Sequence, residues 1–370
     1  YKGNRRMLSV LLISTVFIFL VTFLPLLKIS HWLIRAMDFP RLQFATLAII
    51  LLAAHFLFLD SQLLITQCLI SITLICLIWQ LCWILPYTLF WPKEVLTSTD
   101  DSPDNQLSVL TSNVLKSNHN ADALIALVNK HQPDVLVTLE SDQWWEEKLQ
   151  VLATQMPYSV KCPLDNLYGM HVFSRLALAE TEICYLVEEG IPSIHATLEL
   201  RTGDKIRAHF LHPAPPSPTE NPESSERDAE LVIVARSVAE SDQPVIVAGD
   251  LNDVAWSATT RLFRKISGLL DPRVGRGVLN TFHVDYPFMR WPLDHLFHSK
   301  HFTLRAIQCL PSIGSDHFPL LTRLSLTPLE NNKQSSIDSR AADHQWASEI
   351  SAEQHVNKDD VPKPGEVSRE

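Results

Sequence analysis

Asn113, Glu140, His212 and Asp250 each stand at the C-terminal end of a short apolar run, and three polar clusters accompany them: Asp250-Leu-Asn252, Asp294-His295 and Ser315-Asp316-His317. A polar residue that ends an apolar strand lies where side chains from neighbouring strands converge at one edge of a sheet. Carboxylates, amides and histidines gathered there are the materials of an active site that accepts protons and offers oxygen ligands. Each residue also has a plainer reading. Glu140 alone is a strand-end surface acid, Asn113 a turn residue, Asp250 to Asp253 a loop that caps a following helix, and a lone histidine is usually structural. Several other chemistries lack their signatures. There is no His-Glu-x-x-His, Cys-x-x-Cys, Gly-x-x-x-x-Gly-Lys or Gly-x-Ser-x-Gly, which argues against zinc protease, nucleotide triphosphatase and serine hydrolase.

The elements that must position these residues interleave. Runs rich in β-forming residues cover 107–113, 134–140, 170–174, 194–200, 206–212, 245–250, 293–298 and 320–326. Helical periodicity covers 121–131, 142–153, 226–239 and 257–266. Ahead of this unit, 7–29, 43–59 and 63–91 are almost wholly apolar. Each is at or near the roughly 20 residues that a helix needs to cross a bilayer, so the reading is three transmembrane helices. The first run is too long for a secretory signal and shows no small-residue cleavage pattern. The expected organisation is a membrane anchor over 1–92, a linker over 93–104, a catalytic domain over 105–328 and a disordered polar tail over 329–370, where large apolar residues are scarce.

Charge divides along the same lines. Residues 1–92 hold 6 basic and 2 acidic side chains, residues 93–328 hold 20 and 30, and the tail 5 and 9. Proteins that grip nucleic acid through its phosphates usually present a basic face, and this acidic domain does not offer one by composition. Cys162, Cys184 and Cys309 are an odd set outside the apolar runs and indicate neither a disulfide framework nor a zinc cluster.

In order, Leu110-Thr-Ser-Asn113, Asp134 to Glu140, Phe210-Leu-His212-Pro, Val247-Ala-Gly-Asp250-Leu-Asn252-Asp253, Pro292-Leu-Asp294-His295 and Gly314-Ser-Asp316-His317 resemble the endonuclease/exonuclease/phosphatase family. That family includes DNase I-like nucleases, inositol-polyphosphate phosphatases and neutral sphingomyelinases. The resemblance implies an α/β fold, a four-layer α/β-sandwich of two packed β-sheets flanked by helices. It also implies roles: Glu140, Asn113 and Asp316 as ligands of Mg²⁺ or Mn²⁺; Asp250 and Asn252 orienting water and phosphate; His317, held by Asp294, on the phosphoryl oxygen; and His212 donating to the phosphate. The expected protein is thus a membrane-anchored metal-dependent phosphoesterase that works by metal-assisted water attack. Its expected partners are the lipid bilayer and a phosphate-containing substrate, lipid-linked or small, ahead of nucleic acid; a non-catalytic scaffold is the rival from another class, and no protein partner is inferable.

Orientation is nearly balanced in the sequence. Lys2, Arg5 and Arg6 favour a cytoplasmic N-terminus, whereas Lys28, Arg35 and Arg41 in the first loop oppose it. Resemblance to the family's membrane-anchored bacterial branch tips the expectation to a multi-pass protein of the plasma (inner) membrane, with its catalytic domain outside the cytoplasm.

Overall fold

The computed structural model describes residues 2–100, 102–329 and 333–364. The N-terminal part contains α1 (Lys2–Phe23), the single turn α2 (Trp32–Arg35), α3 (Arg41–Phe58) and α4 (Leu64–Ile84). Three stretches, Arg5–Leu27, Arg41–Phe58 and Leu64–Tyr87, are helical, long enough and apolar enough to cross a membrane. The third apolar run stops being α-helical well short of residue 91. Pro86 has no N–H to continue the i→i−4 ladder, and the chain tightens into a 3₁₀ turn. Because lipid is as apolar as leucine, such helices are held to one another by packing and by polar contacts. Here His55 Nε2 lies 3.1 Å from the Thr15 hydroxyl and 3.3 Å from that of Thr73, joining all three helices. Gln80 adds a second tie, donating to Thr22 at 3.0 Å and accepting from Arg41 at 3.1 Å.

The remaining elements are β1 (Gln106–Asn113), α5 (Ala121–His131), β2 (Val135–Leu139), α6 (Gln143–Leu149), β3 (Tyr158–Cys162), β4 (Met170–Ser174), β5 (Ala177–Cys184), β6 (Ser193–Glu199), β7 (Lys205–Leu211), α7 (Ser225–Ala239), β8 (Val245–Asp250), α8 (Ala258–Ser267), β9 (Asp294–His298), β10 (Phe302–Cys309), β11 (Leu320–Leu326) and α9 (Ala341–Glu353). One sheet runs β10-β11-β1-β2-β4-β3 and the other β5-β6-β7-β8-β9. Val109, Val137, Phe210 and Ile246 belong to the apolar layer between them. Leu124 of α5 and Trp145 of α6 cover the outside of the first sheet, and Ile233 of α7 and Phe263 of α8 the outside of the second. The result is the expected four-layer sandwich.

Two parallel pairs matter for function. β1 pairs with β2 through the crossover helix α5, with Asn113 opposite Leu139; β7 pairs with β8 through α7, with Leu211 opposite Gly249. Parallel strands end at the same edge. Asn113 and Glu140 therefore leave one sheet where His212 and Asp250 leave the other, and antiparallel β9 brings Asp294 opposite Asp250.

Three strands lay outside the sequence reading. β3 and β5 are edge strands with no apolar run to mark them, β5 being mostly exposed, while β10 is bulged between Leu304 and Ala306, which interrupts its alternation. The tail also departs from expectation. Instead of disorder, α9 packs on α7: Ala347 and Ile350 join its apolar cluster, and Lys265 Nζ binds Asp343 at 2.8 Å. A few apolar residues at helical spacing suffice there because nearly every side of α7 is buried, so the partner surface supplies most of the cluster. The parts of the tail expectation that fall on 330–332 and 365–370 lie outside the described residues.

Candidate active site

The turn after β8 is fixed by steric necessity. Gly249 has φ of 146°, and a Cβ built there would stand 1.9 Å from the Leu211 carbonyl oxygen, so only glycine lets β7 and β8 approach beside Asp250. Asp250 Oδ1 accepts from the Asn252 N–H at 2.9 Å, and Asn252 Nδ2 donates to the Pro213 carbonyl at 2.9 Å. Arg227 Nη1 donates to the Asn252 carbonyl at 2.8 Å. Glu140 (φ 58°) and Asn252 (φ 50°) are both in the left-handed region. Non-glycine residues pay for that conformation in strain, and such positions cluster at functional sites.

Hydrogen bonds then connect the two sheet edges. Asn113 Nδ2 donates to Glu140 Oε1 at 2.7 Å and reaches Asp250 Oδ2 at 3.3 Å. The same Asp250 oxygen is 3.4 Å from His317 Nε2, and His317 Nδ1 is 2.7 Å from Asp294 Oδ2. His317 is buried between two carboxylates. Burial by itself would lower its pKa, but the charges of Asp294 and Asp250 overcome it and carry the imidazole up to about 10, so it is cationic near neutrality. His212 is the opposite case. Burial lowers it to about 4, leaving a neutral ring against Tyr168, and its Nδ1 has no partner among the described residues. Glu140 is pushed up to about 7, first by burial and further by Asp316 and Asp250, against the lowering bond from Asn113.

All eight residues singled out in the sequence come together. Five form the chain Glu140–Asn113–Asp250–His317–Asp294. Asn252 and Asp316 line the same cavity, and His212 is close enough to Asp250 and His317 to feel their charges. His295, adjacent to Asp294, faces away: its Nε2 is 2.9 Å from the Asp253 carbonyl and its Nδ1 2.6 Å from Arg273.

The donor set suits a hard divalent ion. Ligand atoms of Asp250, Asp294 and His317 lie within 4.8 Å of one another, yet both nitrogens of His317 already face carboxylates, which makes that group a hydrogen-bond chain more than a cage. The Glu140 side is better provided. A carboxylate raised to about 7 by burial, beside Asp316 and the Asn113 amide, is the kind of oxygen site that Mg²⁺ or Mn²⁺ occupies while keeping water and phosphate as its other ligands.

Sequence reasoning missed the walls. The Phe282 ring lies 4.9 Å from that of His317, and Trp291 pairs with it across a backbone bridge. Phe39, Pro40 and Gln43, from the N-terminal part, line the same cavity. No periodicity or motif marks these residues, because segments far apart in the chain, 39–43 and 282–291, supply them.

If Asp294 works only by holding His317, the two act as one unit. His317→Ala and Asp294→Ala should each lower kcat by roughly 10²-fold or more, and the double variant should fall no more than about tenfold below the worse single. Steady-state rates of the three variants check this; simply additive losses would refute the pairing.

A buried acid–histidine chain where two parallel strand pairs end, in a four-layer sandwich, defines a class of protein. The sequence profile described as "Endonuclease/Exonuclease/phosphatase family" matches residues 110–317, more than half of the chain, and the chain belongs to that family. Members of the family are generally phosphoesterases or nucleases and generally use divalent metal ions. Among solved structures, D. rerio TDP2 complexed with single strand DNA product is similar at 20% identity, covering 60% of this chain and 100% of that one with a TM-score of 0.50. An endonuclease/exonuclease/phosphatase from Beutenbergia cavernae is 18% identical, covering 61% and 72%, and one from Bacteroides vulgatus is 16% identical, covering 60% and 99%, both with a TM-score of 0.50. These likenesses establish the fold. No curated protein matches the chain.

Proposed function

We propose that this protein is a membrane-anchored phosphoesterase, dependent on Mg²⁺ or Mn²⁺, that hydrolyses a phosphoester or phosphoanhydride of a lipid-linked or small substrate. The observation that carries the reading is the placing of Asp250, within 3.4 Å of His317 and 3.3 Å of Asn113, at a buried edge shared with Glu140. Glu140, Asn113 and Asp316 would hold the metal, which supplies Lewis-acid polarisation of the phosphoryl group and a template for water. Asp250 accepts the proton of the attacking water, and Asn252 keeps that carboxylate aimed. Cationic His317 faces the charge that grows on the phosphoryl oxygens, with Asp294 fixing its ring. Neutral His212 offers a further hydrogen bond. No covalent intermediate on the protein is required.

The cavity beside these residues encloses about 600 Å³, within the usual range for a small-molecule site. Its described lining contains acidic residues and no lysine or arginine, which favours a compact phosphoester over a long nucleic acid. Hydrolysis of bis(p-nitrophenyl) phosphate by the full chain tests the reading: turnover should appear with Mg²⁺ or Mn²⁺ and vanish with a chelator. No turnover of several phosphoester classes with either metal would favour a scaffold that kept the fold.

Packing also bears on orientation. Arg35 is buried against Asp228 at 3.1 Å, Arg41 is paired with buried Asp38, and Lys28 lies 4.2 Å from the Trp346 ring centroid. The loop charges that opposed an outward domain are thus engaged by the protein itself, whereas Arg5 and Arg6 at the far end are exposed. This supports a cytoplasmic N-terminus and a catalytic domain across the plasma membrane. A C-terminal alkaline phosphatase fusion should therefore be active and a C-terminal green fluorescent protein fusion dark; the reverse pattern would place the domain in the cytoplasm.

A further inference from the structure

The N-terminal helices do more than precede the catalytic domain: they are packed into its active site. Tyr87 at the end of the third apolar stretch clusters with Val254, Trp256 and Leu293, residues that flank the positioning residues Asn252 and Asp294. Tyr87 also donates its hydroxyl proton to the Ala255 carbonyl at 2.6 Å, and Trp256 Nε1 donates to the Asp38 carbonyl at 2.9 Å. Arg35 binds Asp228, whose other oxygen accepts from Arg227 at 2.8 Å, and Arg227 in turn donates to the Asn252 carbonyl.

The cavity consequently has two unlike halves. Glu140, Asp250, Asn252, Asp316 and His317 form one, and Phe39, Pro40, Phe282, Phe288, Met289 and Trp291 the other. The height of the apolar half relative to a bilayer can be read from one bond. Gln43, in the first turn of α3, donates from Nε2 to the Phe288 carbonyl at 2.7 Å. The tip of the 283–291 loop is therefore level with the start of a helix fit to cross a membrane, and Phe288 there is 89% exposed. Tyr286 and Met289 are exposed beside it. Aromatic side chains standing free at that level match the headgroup boundary of a bilayer, and an apolar patch of this kind otherwise has no reason to face water.

We infer that the substrate is an amphiphile: its phosphate lies at the Glu140–Asp250–His317 end, and its hydrocarbon chain enters from the bilayer between the first loop and the 283–291 loop, against Phe39, Pro40, Phe288 and Trp291. This rests on the hydrolase reading above and gives the anchor a part in specificity. Tethering alone would require no residue of the N-terminal part to line the cavity.

Two readouts on the full chain in mixed micelles test it. In the first, methyl, octyl and hexadecyl p-nitrophenyl phosphodiesters are compared, so that the scissile bond stays constant. kcat/KM should rise at least about tenfold from methyl to hexadecyl, and Phe288→Asp with Met289→Asp should reduce that ratio towards one. In the second, a long-chain alkyl phosphate bearing a diazirine near the chain's start should label residues 36–43 and 282–291, competed by hexadecyl phosphate and not by inorganic phosphate. Turnover without chain-length preference, with label spread along the helices, would overturn this inference and leave the hydrolase standing. Specific labelling without turnover of any ester would overturn the hydrolase and keep the pocket assignment.

Discussion

Asp250→Asn is expected to lower kcat by about 10³-fold, the middle of the range that a positioned general base contributes, or about 4 kcal/mol of barrier. The substitution preserves shape but not hydrogen bonding. In the wild type, one carboxylate oxygen accepts from the Asn252 N–H and the other faces two donors, Asn113 Nδ2 and cationic His317. An amide has a single oxygen, so one side of it must set N–H against N–H. Leaving buried donors unmatched costs on the order of 1–3 kcal/mol, and the melting temperature should fall by several degrees while the fold persists. Saturating-substrate rates together with a thermal melt separate the two effects. A variant whose kcat stays within tenfold of wild type would remove Asp250 from the role of base.

Glu140→Gln should act differently, through the metal. Glutamine keeps the length of the side chain and can still accept from Asn113, and it removes an acid that burial and the neighbouring Asp316 and Asp250 hold up at about 7. Folding should be unaffected or slightly improved, since an awkwardly buried ionisable group is gone. Metal affinity should fall by roughly 10²-fold or more, at or beyond the loss typical for altering a ligand's supporting partner. The rate at a fixed low metal concentration should fall with it. Titration of Mn²⁺ followed by its electron paramagnetic resonance signal, alongside the metal dependence of turnover, measures both. An unchanged metal-activation curve would move the site away from Glu140.

The positions of the candidate site residues were legible in the sequence where strand ends carry polar residues. Asn113, Glu140, His212 and Asp250 were placed by their position at strand ends, and Asp294 and His317 by motifs that resemble the family's; the parallel pairing that brings the ends together came from the structure. Their assembly follows from two βαβ units that face each other, of which the sequence showed only that strands and helices interleave. Three kinds of feature were illegible. Edge strands β3 and β5 touch the core through only a few partly buried residues such as Val160 and Leu178, too few to write a period into the sequence. The docking of α9 depends on a surface of α7, whose all-round burial hinted at a cover without saying which segment provides it. The apolar half of the cavity is assembled from Phe39 and Trp291, which meet edge to face at 5.6 Å although 252 positions separate them. Local pattern cannot report such a contact. The loop cations are hard to weigh for a related reason, because Arg35 and Arg41 count as topogenic charges in a sequence and are ion-paired inside the fold.

Single-turnover hydrolysis in ¹⁸O-labelled water tests the central claim most directly. With enzyme in excess over bis(p-nitrophenyl) phosphate and Mg²⁺ or Mn²⁺ present, direct attack by water predicts that the p-nitrophenyl phosphate of the first turnover carries one ¹⁸O, that no label enters p-nitrophenol, and that chelation stops its formation. Unlabelled p-nitrophenyl phosphate in that first turnover would mean that a protein carboxylate oxygen is transferred to phosphorus and water then opens the acyl phosphate at its carbonyl carbon. Undiminished turnover after chelation would contradict the metal site.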